Sequence, residues 1–139
     1  MYEEYSRQAL PSKRYRELLS SAICVFNSNN QFVIEHILRI DDSNSNWYEL
    51  IDKTSGELSQ PVKETITKNF DTKIAVLFSS IIGKRNRIFH SFQITENNEQ
   101  VLRTKTKNNE QFTITESYLL EFIKDNEDLS SMLHKLRGH

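Results

Sequence analysis

Arg85, Asn86 and His90 lie within the run KRNRIFHSF (residues 84–92) and are of the types that manage charge and protons at a phosphate. A planar guanidinium can neutralise charge building on phosphorus, an imidazole can take or give a proton near neutral pH, and an amide can orient the imidazole or hold a phosphate oxygen. Spacing decides whether they can act together. On a helix, Asn86 and His90 are four apart and share a face, while Arg85 is rotated by about 100° from Asn86 yet borders that face. Three such groups pointing into one region suit cleavage of a phosphodiester without a metal ion. The competing reading is a solvated helix end, where Lys, Arg and His complement the negative end of the helix dipole. That reading accounts for Lys84 and Arg87 better than for an asparagine and a histidine sharing a face flanked by Ile88, Phe89 and Phe92.

The elements that must position these residues are read from the spacing of apolar side chains. Tyr15, Leu19, Ala22, Phe26, Val33, Ile37 and Ile40 recur at helical intervals, so one long helix is expected over residues 13–40. Pro11 and Ser12 mark its start and the run DDSNSN (41–46) its end. The stripe places Asn29 inward, an unusual position for an amide. A short helix is expected from Trp47 to Lys53, capped by Asn46, with Gly56 as a stop signal. Pro61 suits the start of another. Asp71 can cap the helix that carries the KRNRIFH run, with Ile74, Leu77, Phe78, Ile81, Ile88 and Phe92 inward and Gly83 as its weak point. Between Gln100 and Thr115, VLRTKTK and QFTIT alternate around an Asn-Asn turn and predict a β-hairpin. Leu102, Thr104, Thr106, Phe112 and Ile114 would share one face, with Arg103, Lys105 and Lys107 on the other. A last helix starts near Thr115 or Glu116 and turns Leu119, Phe122, Ile123, Leu129, Leu133 and Leu136 inward, with Gly138 past its end.

The fold expected is therefore mainly α: an up-and-down bundle of three long and one or two short helices, with a β-hairpin inserted near residues 100–115. A length of 139 residues suits a single domain spanning 1–139. Three Gly and two Pro disfavour a turn-rich all-β chain. With a net charge of −1, bulk charge does not draw the protein to nucleic acid, so any phosphate contact must come from a local cluster. Cys24 is the only cysteine, which excludes an internal disulfide. It is expected as a small core residue, and a reducing, cytoplasmic setting is expected with it. No run approaches the ~18 apolar residues of a membrane span. His36, His134 and His139 lack metal-binding spacing, so neither a metal nor a cofactor is expected.

The hexad RNRIFH (85–90), late in a central helix of a helical bundle, resembles the R-x4-6-H signature of the HEPN superfamily in the form with asparagine after arginine. The resemblance implies a small dimeric, metal-independent endoribonuclease acting on RNA, in many relatives the toxin of a toxin–antitoxin pair or an antiphage component. It implies that two copies of the motif form one cleft, in which the substrate's 2′-OH attacks to leave a 2′,3′-cyclic phosphate and a 5′-OH. His90 would exchange protons, Arg85 stabilise the transition state, Asn86 position, and Lys84 and Arg87 hold phosphate. Asn29 would reach the cleft from the first helix. Some relatives carry a tyrosine two residues beyond the histidine, tied to modification by a nucleotidyltransferase antitoxin; Phe92 stands here, so that route of control is not expected. The alternative from a different class is a catalytically silent helical module that binds a nucleotide, an RNA or a protein partner.

Overall fold

The computed structural model describes residues 2–41 and 46–138. Most of them are helical. Helix α1 (Lys13–Ile40) and helix α5 (Glu116–Arg137) lie against each other, and α4 (Lys73–Phe89) packs on α5. Between α1 and α4 come the short α2 (Trp47–Asp52), a 3-10 turn (Ser55–Leu58), α3 (Ser59–Val62) and a π-helical turn (Lys63–Thr67). A small antiparallel sheet, β1 (Phe92–Glu96), β2 (Glu99–Lys105) and β3 (Gln111–Ile114), joins α4 to α5. Among the described residues no helix is long and apolar enough to cross a membrane.

The helix starts follow their caps. Ser12 accepts the Tyr15 N–H at 3.2 Å, Asn46 accepts the Glu49 N–H at 2.9 Å and Thr115 accepts the Tyr118 N–H at 3.0 Å. The N-cap of α4 is Thr72, whose side chain makes no cap bond, and Asp71, expected as the cap, stands one residue earlier and accepts the Lys73 N–H at 2.9 Å. Helix α1 runs unbroken through the polar stretch Asn27–Asn30 because its inner stripe stays in phase: Ala22, Phe26, Asn29, Val33 and Ile37 are all buried. Asn29 is tolerated there because its amide donates to the backbone oxygen of Asn126 at 2.8 Å and to that residue's side-chain oxygen at 3.0 Å. Asn126 in turn donates to Phe122 O at 2.9 Å. A buried amide costs little when so paired. Helix α1 ends at Ile40 as expected; residues 42–45 of the DDSNSN stop lie outside the described residues, as does His139.

Three expectations need correction. Phe92 does not continue the helical stripe: α4 ends at Phe89, and Phe92 opens β1 with 45% of its surface exposed. The expected hairpin is real but is only part of a three-stranded sheet, because FQITE pairs with β2 through a two-residue turn. Asn97 and Asn98 adopt φ of 53° and 64° there, the conformation that tight hairpins demand and asparagine tolerates. Cys24 is exposed rather than in the core, since it lies two residues from both Ala22 and Phe26 and so about 200° around the helix from each. Gly83 does not interrupt α4.

The register sets Leu102 opposite Ile114 and Thr104 opposite Phe112, which puts all four on one face as expected, with Arg103 and Lys105 on the other. The Tyr15 hydroxyl donates to Ile114 O at 2.6 Å and accepts the Leu102 N–H at 3.2 Å. One side chain thus pins the start of α1 to the sheet. Burial raises its pKa above the ordinary tyrosine value, which keeps it a donor.

His36 is buried in the α1–α5 seam, with Nε2 2.9 Å from Leu133 O and its ring stacked on Phe32. Burial lowers its pKa, so the folded protein prefers neutral imidazole and the unfolded chain binds the proton more readily. The resulting stability is present above the unfolded value of about 6.5 and is lost as pH falls below it. We expect the thermal midpoint to drop between pH 7 and 5, and His36→Gln, which keeps a donor for Leu133 O but cannot titrate, to flatten that slope; equal slopes in the two proteins contradict this.

Candidate functional site

The KRNR cluster occupies the last turns of α4, and its four side chains go to different destinations. Arg85 falls on the inner stripe, four residues after the buried Ile81 and three before the buried Ile88, where an aliphatic residue would be the ordinary choice. Its guanidinium carbon stands 4.3 Å from the ring centre of Phe89 on the next turn and 5.3 Å from that of Phe26 on α1. Both rings attract the cation through their negative faces. Below, Phe26 stacks on Phe122 of α5 at 6.2 Å, so all three long helices contribute to this floor. The void beside them measures about 10 Å³, at the lower limit for one water molecule.

Arg85 is poorly satisfied by the protein. Nη1 donates to the Asn86 side-chain oxygen at 3.3 Å, and among the described residues Nε, sealed from solvent, has no partner and no carboxylate pairs with the cation. Burial pushes its pKa below the ordinary arginine value, the direction expected of a cation deprived of water. Lys84, one residue earlier, is the opposite case. Its ammonium lies 2.6 Å from Asp125 and 2.9 Å from Glu121 on α5. Burial alone would lower its pKa, yet the two carboxylates raise it above the usual lysine value. Arg87 donates through Nη1 to Lys105 O and so ties α4 to β2. The structure therefore commits Lys84 and Arg87 to internal contacts, although both were expected at the substrate. It likewise buries Asn29 against Asn126, away from the protein surface.

Asn86 lies in the last turn of α4, and His90 follows the helix as its C-cap, with φ −95° and ψ 50°. The His90 N–H donates to Asn86 O at 2.9 Å and closes the last turn; the His90 carbonyl accepts the hydroxyl of the buried Thr104 at 3.1 Å, which locks the helix end to β2. Ser91 donates to Ile88 O at 2.6 Å and satisfies another carbonyl at this terminus. The backbone of His90 is thus held from two elements while its ring is exposed and bonds none of the described residues.

Sequence reasoning missed three contributors. Phe26 and Phe89 were read simply as apolar positions, although arginine in phase with an aromatic one turn on is a signal for such a stack. Asn126 was not singled out, although it continues the Leu119, Phe122, Leu129 and Leu133 stripe. Strand β1 was missed, although Asn97-Asn98 between FQITE and EQVLRTK is a hairpin signal.

Chemically, the site offers a partly buried guanidinium with no carboxylate partner among the described residues, an amide beside it, and an accessible imidazole at the end of the same helix. Among the described residues no group of three or more His, Cys, Asp or Glu could hold a metal ion. Compared with known proteins, the chain matches no family model, no curated protein and no solved structure.

Unsatisfied burial of a cation adds nothing to stability, whereas a lysine between two carboxylates does. We therefore expect Arg85→Met to leave the denaturant midpoint free energy within about 0.5 kcal/mol of wild type, and Lys84→Met to cost about 1 kcal/mol. A loss above ~2 kcal/mol for Arg85→Met contradicts the reading of Arg85 as a side chain kept for a ligand.

Proposed function

We propose that the chain is a metal-independent endoribonuclease of HEPN type. The observation that carries this reading is Arg85, whose guanidinium rests on Phe26 and Phe89 and finds no carboxylate partner among the described residues, while the neighbouring Lys84 is given two. A preorganised cation in a partly dry setting is the device that stabilises charge as it develops. The hexad RNRIFH supplies the proton carrier, His90, from the same segment.

In the reaction, the 2′-oxygen of the ribose attacks the adjacent phosphorus and gives up its proton. The P–O5′ bond breaks and the 5′-oxygen receives a proton, leaving a 2′,3′-cyclic phosphate and a 5′-OH. His90 handles proton transfer, Arg85 bears the extra negative charge on the phosphoryl oxygens, and Asn86 fixes the guanidinium and a phosphate oxygen. One imidazole is few for two proton transfers, and none of the described residues hydrogen-bonds the His90 ring. Both facts support a site completed by a second copy across a twofold axis, with the long helices as the bundle that presents it. A toxin or antiphage role, held in check by an antitoxin protein, fits this activity. A silent module that binds nucleotide, RNA or protein is the second reading, favoured by the same lack of an orienting partner for His90.

The assay is cleavage of single-stranded RNA in excess chelator with end-group analysis. We expect cyclic phosphate and 5′-OH ends, and a fall in rate of about 10²-fold or more for Arg85→Ala or His90→Ala, with thermal midpoints near that of wild type. Absence of cleavage by the wild type, or unfolding of both variants, hands the site to the binding reading.

A further inference from the structure

Among the described residues, three side-chain polar atoms are sealed from solvent without a partner: Arg85 Nε, Arg103 Nε and Thr67 Oγ1. Such atoms are uncommon, and each asks for a cause. That two of them are arginines, one in the α4 cluster and one on β2, is the starting point. Arg103 lies on β2 beside Thr104, whose hydroxyl holds the His90 carbonyl. Across the sheet, Arg103 pairs with Phe92 on β1 and with Thr113 on β3, so an aromatic ring, a guanidinium and a hydroxyl form one row on one face. The opposite face, with Leu102, Thr104, Phe112 and Ile114, is the one turned to Tyr15 and Tyr118.

The row has the chemistry of a single-strand platform. Phe92 is 45% exposed although it is large and apolar. Arg103 makes one long contact, Nη2 to Thr113 Oγ1 at 3.4 Å, and no ion pair. Glu96 pairs with Glu99 at the turn, but its carboxylate reaches back to the row and accepts the Thr113 hydroxyl at 3.2 Å, the oxygen that Arg103 also contacts, so a phosphate at Arg103 displaces that carboxylate. Phe92 follows His90 by two residues and lies within roughly 7 Å of it along the chain.

Building on the endoribonuclease reading, we propose that this row is the binding subsite for the nucleotide next to the scissile linkage of single-stranded RNA. Its base stacks on Phe92 and its phosphate is held by Arg103. Stacking on an aromatic ring tolerates any base, and a forked guanidinium suits phosphate, so the subsite positions substrate more than it selects sequence.

The probe is a 2′-O-methylated RNA 12-mer, which lacks the nucleophile and cannot be cut by this chemistry, titrated by fluorescence anisotropy against the full chain. We expect Arg103→Ala to bind about 10-fold more weakly and to lower the salt slope by about 0.7, the share of one phosphate contact on a single strand. Phe92→Ala should weaken binding about 10-fold with the slope unchanged, and Phe92→Tyr should restore it. Should Arg103→Ala fail to fold, the Phe92 pair decides alone. Absence of binding by the wild type, or Phe92→Ala and Arg103→Ala folded and within twofold of it, overturns the subsite. RNA cleavage by the wild type alongside unaltered binding in the variants removes the subsite and leaves the nuclease. Weakened binding in the variants without cleavage by the wild type removes the nuclease and leaves the subsite.

Discussion

A buried amide must find partners, and in this protein the demand is met where the two longest helices meet: Asn29 of α1 donates twice to Asn126 of α5. Slipping either helix by a residue would leave the Asn29 amide orphaned in an apolar seam, while Asn126 keeps its own bond to Phe122 O, so this contact sets the alignment of α1 on α5. One turn away on each helix sit Phe26 and Phe122, which the same alignment stacks on each other. Phe26 is in turn the surface on which the Arg85 guanidinium lies. The polar node that looked out of place in the α1 stripe is therefore the foundation of the site, at one remove from its chemistry.

The four residues Lys84 to Arg87 show how a run of charges is divided by helix geometry. Successive side chains rotate by about 100°, so each meets a different neighbour. Lys84 meets carboxylates on α5, Arg87 a carbonyl on β2, and Asn86 the adjacent guanidinium. Arg85 alone is directed at aromatic rings, which hold a cation without neutralising it. The contrast between Lys84 and Arg85 separates charge spent on cohesion from charge kept available.

Periodicity made α1, α4 and α5 legible, and the caps Ser12, Asn46 and Thr115 marked the starts of α1, α2 and α5, because these depend on residues within a turn of each other. It failed at Phe92, four residues beyond Ile88 and so still in helical phase, even though the alternation of FQITE starts there. Two local patterns overlapped, and the closure of α4 by Ser91 and Thr104 decided between them. Cys24 was misplaced for a related reason: an apolar run surrounds it, but its angle around the helix points outward. At the site, the grouping of Arg85 with Asn86 could be read from spacing. The support from Phe26, the pairing of Lys84 with Glu121 and Asp125, and the burial of Asn29 on Asn126 join residues far apart in the chain, and no local pattern carries them.

The central proposal, that Arg85, with its Nε sealed and no carboxylate partner among the described residues, serves a phosphate, can be addressed atom by atom. In a nitrogen-15 correlation spectrum the Arg85 Nε–H should exchange with water more slowly than those of surface arginines. It should move saturably on titration with a 2′-O-methylated RNA at constant salt. An Arg85 signal that exchanges as fast as the surface arginines, or that stays fixed while theirs shift, contradicts the account.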